Sequence, residues 1–332
     1  MKKLINDPNA VVQEMIEGMI AAHPDKLKTI PGTTVLVRKD APVQGKVGLV
    51  SGGGSGHEPA HAGYVGKGML DAAVAGEVFT SPTPDQVFEA IKAVDGGKGV
   101  LLIIKNYTGD VLNFEMAAEM AEAEGIKVAK VIVNDDVAVE DSTYTTGRRG
   151  IAGTILVHKI AGAMADTGAS LEEVEAVAKK VISNVRTMGM ALTPCTVPAA
   201  GKPGFEHGEK EMEIGMGIHG EPGIEKTEIQ PANQVAETLV NKILEDMPLV
   251  EKDRVAIMIN GLGGTPIMEL YIVNKKVAEM MKEKGIDVHE TFVGNYMTSL
   301  EMAGCSVTLL KLDDQLAELL DAPSDAIAFK KS

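Results

Sequence analysis

Three times in its first half, this chain stops a short apolar run at a glycine-rich or polar turn and then shifts to a helical pattern. Lys46–Ser51 leads into Gly52-Gly53-Gly54-Ser55-Gly56-His57-Glu58-Pro59. Gly99–Lys105 leads into Asn106-Tyr107-Thr108-Gly109-Asp110, and Val128–Val133 into Asn134-Asp135-Asp136. Repeated strand–turn–helix units pack as an α/β sheet flanked by helices, with ligand-binding groups collected at the strand ends. At 332 residues the chain exceeds one typical core, so two α/β domains are expected, residues 1–184 and 185–332. Aromatic residues make up only 3% and Trp is absent, so the cores must be built from Val, Ile, Leu, Ala and 18 Met.

Local signals set the remaining elements. Val12, Met15, Ile16, Met19 and Ile20 form one stripe of a helix expected over Asn9–Ala22, capped by Asp7 or Asn9. A strand is expected at Thr34–Arg38, a helix from Phe114 to Ala123 and another over Arg149–Ala165. Ser170-Leu171-Glu172-Glu173 is a capping box that opens a further helix. The second domain is expected to hold strands at Met188–Thr193, Glu211–Ile218, Arg254–Asn260, Asp287–Val293 and Ser306–Lys311. Its helices follow Pro231, span Thr265–Lys284 and cover Asp314–Leu320.

Charge excludes some functions. The 32 basic and 47 acidic residues give a formal charge of −15, which disfavours non-specific nucleic-acid binding and docking on an anionic membrane. Cys195 and Cys305 make neither a disulfide framework nor a CxxC site. The start lacks the apolar core of a signal peptide and no run reaches membrane-span length, so a cytoplasmic protein is expected.

The chemistry-bearing candidates cluster at turns. In Gly215-Met216-Gly217-Ile218-His219-Gly220-Glu221-Pro222-Gly223 the glycines clear space around an imidazole at a strand end. The Gly52–His57 segment lacks the spacing and lysine of a P-loop and the third glycine of a Rossmann fingerprint. It reads as a flexible turn whose free N–H groups could receive an oxyanion or hydroxyl. His57-Glu58-Pro59-Ala60-His61 spells the zinc motif H-E-x-x-H, but Pro59 belongs at a helix start, so the two rings need not share a face. Asp110 reads either as a helix cap or as a general base. Ser81, in Thr80-Ser81-Pro82, reads as part of a cap and loop or as a polar ligand contact. Arg148-Arg149 reads as an ion-pair donor to nearby Asp residues or to an acidic partner. His23, His158, His207 and His289 lack comparable surroundings.

Taken together, the Ser51–Pro59 segment, Glu77-Val78-Phe79-Thr80-Ser81-Pro82, Lys105–Asp110, Asp135–Val139, Gly147–Gly150, Thr196-Val197-Pro198 and Gly217–Gly223 resemble one family over nearly the whole chain. They are similar to the substrate-binding K subunits of bacterial dihydroxyacetone kinases of the phosphotransferase-system type. The resemblance implies that this chain binds dihydroxyacetone and no cofactor of its own. ADP or ATP with magnesium would sit on a separate L subunit, recharged by an M subunit. Single-chain relatives append a nucleotide domain, and none is expected on this chain, whose sequence runs to Ser332. The resemblance also implies a homodimer.

It further implies residue roles. His219 would add through a ring nitrogen to the ketone carbon, forming a hemiaminal that glycerol, lacking a carbonyl, cannot form. Such a bond needs a neutral imidazole and is expected to weaken in acid. Asp110 would take the proton of the attacking terminal hydroxyl. His57 would hydrogen-bond the ligand and assist proton transfer. Gly54 (through its backbone), Ser81 and Lys105 would be further substrate contacts, and no metal would bind this chain. Two alternatives remain: a ketone-binding coactivator of a transcription factor, and a zinc hydrolase using His57 and His61.

Overall fold

Alternation along the apolar strands decides how the layers stack. In one strand Leu101 and Ile103 face one core while Val100, Leu102 and Ile104 face another. A strand buried on both sides requires helices on both sides. The computed structural model describes residues 2–139, 147–204 and 208–332. It begins with α1 (Val11–Ala22), β1 (Leu27–Thr29), β2 (Val35–Arg38), β3 (Gly48–Ser55), β4 (Gly66–Lys67) and β5 (Ala72–Val78). Next come α2 (Pro84–Val94), β6 (Val100–Lys105), α3 (Thr108–Ala123), β7 (Val128–Val133), α4 (Thr154–Asp166) and α5 (Leu171–Asn184). The first sheet has the order β1-β2-β5-β3-β6-β7, with β5, β3, β6 and β7 parallel.

The chain crosses to a second sheet between Asn184 and Val185. There follow β8 (Val185–Ala191), β9 (Glu211–Ile214), β10 (Glu225–Glu228), α6 (Ala232–Asp246), β11 (Arg254–Gly261) and α7 (Ile267–Glu283). After these come β12 (Asp287–Gly294), β13 (Gly304–Leu312), α8 (Asp314–Asp321), β14 (Ser324–Ala326) and β15 (Lys330–Lys331). The second sheet runs β10-β9-β8-β13-β11-β12, and only the β11–β12 pair is parallel. The last two strands return to the first half, where β14 pairs with β4 and β15 pairs with β14.

The architecture is therefore mixed α/β in five layers. Helices α2 and α3 cover one face of the first sheet through Val87, Ile91, Phe114 and Ala117. Helices α6 and α7 cover the far face of the second through Leu239, Ile243, Val277 and Met281. Between the sheets, Ile16, Ile155, Leu156, Val177 and Leu316 join residues of both sheets in one core. Each such aliphatic side chain contributes roughly 1.5–3 kcal/mol on burial. The two sheets thus share an interior.

Several segments differ from the sequence reading, among them unexpected strands β1, β5 and β10. Helix α1 starts at Val11 without a side-chain cap; the Asp7 carboxylate accepts the Asn9 N–H instead, at 2.9 Å. Helix α4 starts at Thr154, not Arg149. The reason is Asp135, fully buried beyond β7, whose carboxylate takes the Ile151 and Gly153 N–H groups, each at 2.8 Å, and fixes that stretch as a loop. Strand β9 stops at Ile214 because Gly215 takes φ +78°. Strand β3 continues through the glycines that read as a flexible turn: Gly52, Gly53 and Gly54 pair in parallel with Val74, Ala75 and Gly76. A Cβ on Gly52 would lie 2.4 Å from the Val74 carbonyl oxygen, and one on Gly54 2.6 Å from the Thr80 nitrogen. These glycines serve close packing rather than flexibility. The capping box at Ser170 forms as expected.

Candidate active site

The site lies where the end of β3 meets loops of the second half. Past Ser55 the chain turns at Gly56 (φ +101°), and two backbone bonds from the second half fasten it: Leu300 N–H to Gly56 O at 2.8 Å and Thr298 N–H to His57 O at 3.1 Å. Fully buried, His57 places Nδ1 2.8 Å from the Thr298 carbonyl oxygen. A carbonyl only accepts, so Nδ1 carries the hydrogen and Nε2 faces the site. Burial pushes the His57 pKa well down, and the Lys105 charge pushes the same way.

His219 arrives from the second half on a tight turn. The Gly217 N–H bonds to Glu221 O at 3.0 Å, the Gly220 N–H bonds to Gly217 O at 3.1 Å, and Gly220 takes φ +81°. A Cβ on Gly217 would sit 2.0 Å from Glu221 Oε2. The glycine therefore lets Glu221 fold back, where its carboxylate accepts from His219 Nδ1 at 2.8 Å and from the His219 N–H at 2.9 Å. Burial opposes ionisation of Glu221, but these bonds and the His219 charge prevail and hold its pKa at about 2. Behind the turn, Arg149 donates to Gly215 O at 2.9 Å and to Asp136 at 2.8 Å, and Ser299 donates to Ile218 O at 2.6 Å.

The two rings meet edge to face, with His57 Nε2 and His219 Nε2 3.1 Å apart. Phe79 stacks on His57 at 5.1 Å and presents its edge to His219; Tyr107 packs edge-on against His219 at 4.6 Å. Phe79 holds φ +58°, a conformation unfavourable for an aromatic residue.

Asp110 and Lys105 converge on Gly53. A Cβ there would lie 3.3 Å from Asp110 Oδ2, 3.3 Å from Lys105 Cε and 3.5 Å from Lys105 Nζ. Asp110 lies inside the first turn of α3, and its side chain caps nothing: the N-cap is Tyr107, without a side-chain cap bond. Burial raises its pKa, against the pull of Lys105, the Ser81 hydroxyl and His219. Such a carboxylate suits proton acceptance better than an exposed one. Fully buried Lys105 has no hydrogen-bond partner for Nζ among the described residues, and neither has the Tyr107 hydroxyl. Burial lowers the Lys105 pKa, while Asp110, Glu221 and Asp135 oppose that. Unused donors beside a carboxylate can be satisfied by a small polar ligand. Ser81 is half-buried beside Gly109 and bonded by Asn113; Gly54 is buried in β3.

The structure thus gathers His57, His219, Asp110, Lys105, Ser81 and Gly54 around one junction. Sequence reasoning passed over three residues that pack on the histidine pair, Glu221, Tyr107 and Phe79. The His-Gly-Glu spacing was a usable signal for Glu221; nothing local marked the two aromatics. The zinc reading fails on geometry. His61 pairs with His158 through Nδ1 and Nε2 at 2.9 Å, away from His57, and residues 57–61 form no helix. Among the described residues no group of three or more His, Cys, Asp or Glu side chains could hold a metal. Arg148 and Arg149 make ion pairs with Asp246 and Asp136. His289 pairs with Asp321, and His207 lies outside the described residues. No helix among the described residues is long and apolar enough to cross a membrane.

A profile of the Dak1 domain matches residues 17–328. The chain belongs to the Dak1 domain family. It is 57% identical over 330 residues to the dihydroxyacetone-binding subunit of PTS-dependent dihydroxyacetone kinase 1 of Listeria innocua, covering 99% of this chain and 100% of that one. Among solved structures, the dihydroxyacetone kinase of C. freundii in complex with AMP-PNP and Mg2+ superposes with TM-score 0.92 and 38% identity. That match covers 99% of this chain and 61% of that chain. A dihydroxyacetone kinase operon co-activator superposes with TM-score 0.90 and 38% identity, covering 96% of this chain and 98% of that one.

Proposed function

We propose that this chain is the dihydroxyacetone-binding subunit of a phosphotransferase that makes dihydroxyacetone phosphate. In this reading residues 1–184 and 185–332 act as two lobes, working in the cytoplasm with the ketone held between them. The observation that carries it is the state of His219. Its Nδ1 is bonded to Glu221, so its free nitrogen, Nε2, points into the site beside His57. That is the geometry of a positioned nitrogen nucleophile backed by a carboxylate. Nε2 attacks the ketone carbon and gives a hemiaminal, while His57 handles the proton at the carbonyl oxygen.

Fixing the ketone covalently orients its terminal hydroxyl. Orientation of this kind is worth up to roughly 7–11 kcal/mol in the best intramolecular cases, and here it is shared with other contacts. Asp110 takes the hydroxyl proton as the oxygen attacks phosphorus. Lys105, Ser81 and the backbone of Gly54 hold the ligand's oxygens. The phosphoryl group comes from ATP, with magnesium, on a separate L subunit recharged by an M subunit, and the chain works as a homodimer. Phosphoryl transfer depends mainly on positioning and electrostatics, which suits a division between two proteins.

The test is reconstitution. Purified chain with an L subunit and its donor should convert dihydroxyacetone, and not glycerol, to its phosphate; light scattering reads the dimer. The co-activator likeness favours a second reading, a ketone-binding regulator. Ketone capture without transfer under those conditions would select it.

A further inference from the structure

The hydrogen bonds around the two central rings fix how many protons they hold. Thr298 O can only accept, so His57 Nδ1 bears hydrogen; the ionised Glu221 can only accept, so His219 Nδ1 bears hydrogen too. With both rings otherwise neutral, each Nε2 is a bare lone pair. Yet the two Nε2 atoms stand 3.1 Å apart, a distance at which two lone pairs repel and one N–H···N bond is favourable. That bond needs one proton beyond those of two neutral rings. Two extra protons would place two cations in contact beside the Lys105 ammonium.

We propose that the ligand-free site holds one proton shared between His57 Nε2 and His219 Nε2, retained by the Glu221 carboxylate, and that this proton becomes the hydroxyl hydrogen of the hemiaminal. The proposal rests on the ketone-capture reading for its second half only. The step balances without outside reagents. The His219 Nε2 lone pair forms the C–N bond, and the carbonyl π pair moves to oxygen. The oxygen takes the shared proton from His57 Nε2. The positive charge carried by the ring pair then resides on the substituted His219 ring, whose Nδ1–H still faces Glu221. No proton enters or leaves the site. The contact between the rings must open for this, since no ketone fits between nitrogens in hydrogen-bond contact.

Charged groups on every neighbouring element bear on that proton. Burial of His57 opposes it most, and Lys105 at the end of β6 adds to that; Asp110 on α3 and Glu221 favour it. Arg149 is matched by Asp136 behind the turn, and Glu58 is spent on the Gly56 N–H. Phe79 and Tyr107 supply uncharged walls. Glu221 is therefore a positioning residue: it sets the tautomer of His219 and holds the charge. Ketone capture then falls on both sides of an optimum. Acid adds a second proton and removes the nucleophile, as expected from the sequence; alkali removes the shared proton and leaves the carbonyl oxygen without a donor.

Heteronuclear NMR of the ligand-free protein with labelled histidine nitrogens reads the count directly. Both Nδ1 atoms should be protonated, with one proton between the two Nε2 atoms around neutral pH. Glu221→Gln, which keeps an acceptor but no charge, should lose that proton at a pH lower by roughly 1–3 units, the range for removing an adjacent opposite charge. Two bare Nε2 atoms in the wild-type protein at neutral pH, or an unmoved transition in Glu221→Gln, would overturn the proposal. Neither result touches ketone capture, which is read separately from the ligand's carbonyl carbon.

Discussion

Two histidine pairs grow from the same loop after β3, and only one has a carboxylate behind it. His57 meets His219 at 3.1 Å and His61 meets His158 at 2.9 Å, both edge to face. The difference lies on the outer nitrogens. In the first pair they are anchored by a carbonyl and a carboxylate, and the His219 side chain is 20% exposed. In the second pair both rings are buried, and His61 Nε2 and His158 Nδ1 have no partner among the described residues. Burial, with the Lys105 charge adding to it, drives the His158 pKa down to about 3, and burial drives His61 well down too. A histidine contact alone carries no chemistry. In the proposed reading, a carboxylate behind one ring makes a nucleophile, and its absence leaves a neutral packing element.

Substitutions should separate the pairs sharply. His219→Ala should abolish covalent capture of dihydroxyacetone altogether, whereas His158→Ala should leave capture intact; equal loss in both would erase the distinction. Asp110→Asn should still capture the ketone but transfer phosphate about 10²–10⁴-fold more slowly, the usual loss for a general base. Normal turnover in that variant would remove Asp110 from its role. His158→Ala should instead cost roughly 1–3 kcal/mol of stability by leaving His61 Nδ1 unpaired in the interior, read by denaturant unfolding.

The smallest effect is on pH dependence. With His158 depressed to about 3 in the fold, the unfolded chain binds its proton first as pH falls below the ordinary histidine range. Stability should then fall with pH across that window, by at most about 1.4 kcal/mol per pH unit for this one ring. His158→Ala should flatten the slope; an unchanged slope would place the acid sensitivity elsewhere.

Much of this was legible because it was local. Parallel strands β3, β6 and β7 announced themselves by apolar runs, though β5 did not, Ser170 by its capping box, and the candidates His219 and Asp110 by their turns. The rest depended on distant neighbours. The glycines of β3 resemble a turn until the Val74 carbonyl is seen to occupy the space a Cβ would need. Helix α4 began late because Asp135 captured the preceding N–H groups. Asp110 proved to be no cap, and the zinc spelling dissolved once His61 turned toward His158. Phe79 and Tyr107 carry no pattern of their own; their roles exist only where the halves meet.

Labelling dihydroxyacetone at its carbonyl carbon gives the most direct trial of the site as a whole. Bound to the wild-type protein, that carbon should move from a trigonal to a tetrahedral NMR signature and show scalar coupling to a labelled nitrogen of His219. A ligand that binds tightly while its carbon stays trigonal would contradict the account.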